Sequence, residues 1–151
     1  MIARRFSWMA LAAMVVAGSV TMRADSLSAI RGSVATIELC AQSTCGAAIF
    51  VGIFAGQIGS THALGTVGVA VTHEDLPDPG HSAGITGGVW QIQTFTKTIR
   101  GGVAGGTLFN NGDNTFTVHV SMVTSTGQAL SFVGLLNHNP FPPTLGGLIT
   151  P

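Results

Sequence analysis

Charge is scarce in this sequence. Charged residues make up 8% of the chain, about a third of the share usual in soluble domains, and tyrosine is absent altogether. The scarcity is also uneven. Three of the six basic residues, Arg4, Arg5 and Arg23, fall within the first 24 positions, and all six acidic residues follow them. From residue 25 onward only Arg31, Lys97 and Arg100 oppose six carboxylates. A chain so poor in Lys and Arg has no basic patch to meet the phosphates of a nucleic acid and no cluster for an anionic lipid surface.

Cysteine is nearly as rare, with only Cys40 and Cys45 present. A zinc site would need two further ligands at suitable spacing, and no second cysteine pair exists to supply them. A disulfide is expected instead, closing the short polar spacer Ala41-Gln42-Ser43-Thr44 as a hairpin loop between two strands. Disulfides persist in oxidising compartments, and the N-terminus points to one. Arg4 and Arg5 precede an uncharged, mostly apolar run from Phe6 to Val20, which has the layout of a secretory signal peptide. The run is shorter than the roughly 20 apolar residues that span a bilayer. Residues 1–24 are therefore read as a cleaved leader and 25–151 as one domain, secreted or periplasmic, with no transmembrane segment in the mature chain.

What remains is abundant in Val, Ile, Thr, Phe and Gly. No stretch after the leader has helical periodicity, and the residues group into short β-type runs punctuated by Gly, Asn, Asp and Pro. The clearest is Asn114 to Val123. Phe116, Val118, Val120 and Met122 alternate there with Thr115, Thr117, His119 and Ser121, the period of a strand with one buried face. Asn111-Gly112 just before it suits a tight turn, so Val103–Phe109 is expected to pair antiparallel with it. Further strands are expected at Ser33–Cys40, Ala47–Gly56, Ala63–His73, Val89–Ile99, Ala129–Leu136 and Leu145–Thr150. Within Val89–Ile99 the alternation breaks, and a β-bulge near Gln93 or Thr94 would restore it.

Two features favour an all-β antiparallel barrel over a two-sheet sandwich. Glycine interrupts nearly every run (Gly52, Gly65, Gly68, Gly105, Gly106, Gly134, Gly146), which lets a sheet bend and close. Short connections favour a meander, and about eight meandering strands can close without a free edge. One strand, Ala47–Gly56, is apolar on both faces, with Ile49, Val51 and Ile53 opposite Phe50 and Phe54. One set belongs to the core, and the other calls for a second copy of the chain, another protein or an apolar small-molecule ligand. An outer-membrane barrel also has two-sided strands, but with aromatic girdles and a polar lumen, which the missing tyrosine and few aromatics do not provide.

No catalytic or cofactor motif is present. The densest polar cluster, His73, Glu74, Asp75, Asp78 and His81, is a weak metal candidate, and its interspersed Pro77, Pro79 and Gly80 suit a solvated loop better. His119, Ser121 and Asp113 are near one another in sequence, but no nucleophile elbow accompanies them. Gly101–Gly106 lacks the Lys-Ser/Thr and the helix of a phosphate loop. The expectation is an exported, non-catalytic β-domain without cofactor or metal. The alternative is a small extracytoplasmic enzyme or metal-binding protein using His73, His81 or His119, and the convergence of two or more of His73, His81, His119 and His138 in one pocket would favour it.

Overall fold

The computed structural model describes residues 29–151; the leader reading lies outside them. Eight antiparallel strands follow one another around a closed barrel, β8 returning to pair with β1. The strands are β1 (Ile30–Cys40), β2 (Ala48–Ile58), β3 (Thr61–His73), β4 (Ser82–Thr94), β5 (Thr98–Asn110), β6 (Thr115–Thr124), β7 (Ala129–Asn137) and β8 (Thr144–Thr150). The expected barrel is the fold observed, and β6 with its Asn-Gly turn lies where the alternation placed it. The turn takes its positive φ at Gly112 (87°) and at Asn114 (65°).

Inward positions form one continuous series through the register. Phe54 faces Gly65, Val67 faces Ile92, Trp90 faces Gly101, Val103 faces Met122, Val120 faces Phe132 and Leu136 faces Leu145. Phe50 and Phe54 are buried while Ile53 is 57% exposed, so β2 turns its aromatic set to the core. Glycine occupies several inward positions as well. At Gly52 an added Cβ would sit 2.0 Å from the Ala35 carbonyl oxygen, so the β1 backbone approaches too closely for any side chain. Gly134 and Gly147 face each other across β7 and β8, and the Phe132 ring occupies the space a Cβ on either would need.

Several sequence expectations need correction. The Cys40–Cys45 spacer is not a plain hairpin loop: Gln42–Cys45 forms a single helical turn, α1, ended by Gly46 in the left-handed region at φ 77°. The cysteines are bonded, their Cα atoms 6.1 Å apart. Val89–Ile99 is not one strand. β4 ends at Thr94, Phe95 is fully exposed in the turn, and Ile99 belongs to β5. The broken parity is therefore a hairpin and not a bulge, and Gln93 and Thr94 pair in regular register with Thr66 and Gly65. The register shift in β4 lies earlier, where His73 pairs with Ile85 and Thr72 with Gly87.

Candidate ligand-binding site

The two ends of the barrel differ. At the end holding the start of β1 and the end of β8, Ile30, Phe54, Ile58 and Ile92 pack into a plug; Phe54 and Ile92 have no exposed surface. Toward the other end valines such as Val34, Val67, Val69 and Val71 alternate around the wall with larger side chains such as Phe50, Trp90 and Phe132, which line the axis without filling it. An eight-stranded barrel is just wide enough for side chains to fill or for one small ligand to occupy. Here a cavity of about 650 Å³ remains, within the size range of small-molecule sites. Its wall is apolar, formed by residues such as Val67, Trp90, Val103, Val120, Met122 and Phe132. The Trp90 indole N–H does not intrude as a free donor, because it bonds the Gly102 carbonyl at 3.1 Å. This apolar lumen is the reverse of the polar interior of a membrane-spanning barrel.

Polar groups are concentrated at the mouth, where α1 and the loops β3–β4, β5–β6 and β7–β8 meet. Glu38, Gln42, Ser43, His73, Glu74, Asp75 and His138 border it, and the lining includes no Lys or Arg. The loops are laced together by backbone bonds. Glu38 N–H donates to Pro143 O at 2.8 Å, His138 N–H to Asn114 O at 3.0 Å, and Gly80 N–H to Asn110 O at 2.9 Å. The Glu74 carboxylate accepts from Gly84 N–H at 2.7 Å, which ties it to the β4 backbone. The His138 ring leans on Phe116, with centroids 5.3 Å apart. Its Nε2 lies 3.8 Å from Glu38 Oε2, beyond hydrogen-bonding distance, and is buried without any hydrogen-bond partner.

Compared with known protein families, characterised proteins and solved structures, this chain matches none.

The candidates from sequence separate on this geometry. His73, Glu74 and Asp75 reach the mouth, whereas Asp78 and His81 do not border the cavity; His81 folds back on its own loop, with Nδ1 3.2 Å from Pro79 O. Among the described residues no three His, Cys, Asp or Glu side chains are grouped to hold a metal ion. His119 and Ser121 stand on the outer wall, where His119 pairs with Thr107 and Val133. Asp113 is occupied at the β5–β6 turn, accepting from the N–H and hydroxyl of Thr115. These three residues do not form a triad. His73 and His138 do share one pocket, and the residue that stands beside His138 there, Glu38, carried no motif. Its only sequence signal is an acid at core parity in β1, continuing the series Val34, Thr36.

Proposed function

We propose that this chain is an exported, non-catalytic container whose barrel holds an apolar small molecule. The observation that carries the reading is the apolar cavity of about 650 Å³, plugged at one end and open at the other. Burying apolar surface contributes about 0.8 kcal/mol per methylene, so roughly ten buried methylenes supply about 8 kcal/mol, the free energy of micromolar binding before the cost of immobilisation is subtracted. Export is supported by the disulfide and the leader-like N-terminus, and among the described residues no helix is long and apolar enough to cross a membrane.

The test uses Nile red, an uncharged apolar fluorophore, and Trp90 as a reporter on the lumen wall. Binding is expected to raise Nile red emission and quench tryptophan emission together. Val120→Phe, which fills the lumen, is expected to weaken binding at least about tenfold while the protein stays folded. An unchanged affinity in that variant, or no binding to the folded wild type, overturns the reading.

A second reading gives the same mouth chemistry, and the meeting of His73 and His138 in one pocket favours it. A histidine beside a carboxylate is the usual equipment for moving a proton on a bound molecule. Mass spectrometry of the molecule recovered after incubation separates the two: unaltered mass supports the container, and a changed mass that His138→Gln abolishes supports the enzyme.

A further inference from the structure

We infer that Glu38 and His138 form the head-group site of this cavity, and that its ligand is an apolar chain ending in a hydrogen-bond donor that carries no negative charge. The inference rests on the container reading and specifies its ligand class.

Glu38 stands out in the wall. β1 keeps its register from Ile30 to Glu38 and shifts only beyond it, so Glu38 follows Val34 and Thr36 on the inward face. Thr36 is satisfied within the barrel, since its hydroxyl donates to Leu145 O at 2.9 Å. Glu38 is not so served. Its side chain is only 10% exposed, its Oε2 lies 3.8 Å from His138 Nε2, and no hydrogen bond reaches its carboxylate. A nearly buried carboxylate without a donor is costly, and the same holds for the buried, unpartnered Nε2 of His138. Both atoms lie at the rim of an apolar lumen, where a bound molecule would place its polar end.

The separation suits one bridging group. An oxygen about 2.8 Å from both atoms would see them at an angle of about 85°, open enough for a hydroxyl to donate to Glu38 and make its second bond to Nε2. An ammonium head would satisfy Glu38 by a charge-assisted bond. A carboxylate head can accept from Nε2 but is set against Glu38 with no cation to offset the charge. The mouth offers it Glu38, Glu74 and Asp75 and no Lys or Arg, and like charges in a partly desolvated site repel.

The experiment displaces Nile red from the full-length protein with dodecanol, dodecylamine and dodecanoate, matched in chain and differing only in head. Dodecanol and dodecylamine are expected to bind at least about tenfold more tightly than dodecanoate, the scale of one charge-assisted hydrogen bond. Alcohol ahead of amine identifies the bridging hydroxyl, and the reverse identifies the ion pair with Glu38. Glu38→Gln is expected to close most of the gap to dodecanoate, with each displacement referred to the variant's own Nile red affinity. Dodecanoate binding as well as the other two overturns the inference, and so does a gap that survives in Glu38→Gln. So does a Nile red complex that none of the three chains displaces; in these cases the container itself still stands. Failure of Nile red to bind removes the container reading instead. The wild-type panel decides the matter even if the variant does not fold.

Discussion

The side-chain amide of Gln42 grips the backbone of His73 from both sides. Nε2 donates to the His73 carbonyl and Oε1 accepts from the His73 N–H, each at 2.7 Å. The amide acts as one more rung of sheet, fastening α1 to the end of β3, and so it sets one border of the mouth. Gln42→Ala removes both bonds at a half-buried position and is expected to cost about 2 kcal/mol. Urea denaturation measures this directly. A change below about 0.5 kcal/mol would mean that water replaces the amide without loss.

Gly52 and Gly68 are neighbouring strand glycines with opposite prospects. Alanine at Gly52 would drive its Cβ to 2.0 Å from Ala35 O, whereas an added Cβ at Gly68 meets nothing within 4 Å. Gly52→Ala is expected to destabilise by about 3 kcal/mol or more. Gly68→Ala is expected to be neutral or to stabilise by up to about 1 kcal/mol, through the lost freedom of the unfolded chain. Melting curves of the two variants side by side check the assignment of Gly52 to the close β1–β2 approach.

The Thr115 hydroxyl bonds the Asp113 carboxylate and holds its pKa below the ordinary 3.8, with the Thr115 N–H adding to the effect. A carboxyl with a depressed folded-state pKa stabilises the fold above its unfolded pKa, and the contribution disappears as pH falls through the depressed value. Wild type is therefore expected to be more stable than Asp113→Asn at neutral pH, with the difference shrinking below about pH 4. Denaturation of both proteins across the acid range tests this. A gap that persists undiminished at the acid end would place the effect in packing and not in charge.

The outer wall retains the spare apolar face anticipated from β2. Val133 pairs with Leu148, Ile37 with Val51 and Ala35 with Ile53, forming an apolar strip across β7, β8, β1 and β2. Leu148 is 59% exposed and Val133 44%. Monomers seldom leave such strips open, and closed symmetric assembly is the common way to cover them. Self-association through this wall is expected, with Leu148→Lys shifting the equilibrium toward monomer in sedimentation. A wild-type chain that stays monomeric at high concentration refutes it.

The strands legible in the sequence are those whose alternation is local. β6 shows four apolar residues at period two and a turn signal beside them, which fixes both its faces and its hairpin. The first half of β4 was invisible because Ser82–Gly88 holds three glycines and little that favours a strand; it is held by β3 and β5 on either side, a tertiary effect that overrides propensity. The mouth was harder still. Glu38 and His138 meet only because β8 lies between β7 and β1 and closes the ring, so no spacing along the chain announces the pair. His73 was singled out for its neighbours in the loop, yet its place at the mouth comes from Gln42, an uncharged residue in a spacer read only as a linker.

Closure of the ring by β8 also decides the polarity of the molecule as an attachable object. The backbone enters β1 at Ile30 and leaves β8 at Thr150 on the plugged end, where Gly32 pairs with Ile149. A label or tether joined at Pro151 therefore departs from the face opposite the opening. Barrels immobilised through that end on a surface would stand with their openings toward solution, all oriented alike. A circular permutation that links Thr150 to Ile30 and cuts the chain between Asn139 and Pro143 would reverse that orientation and bring the tether beside the opening.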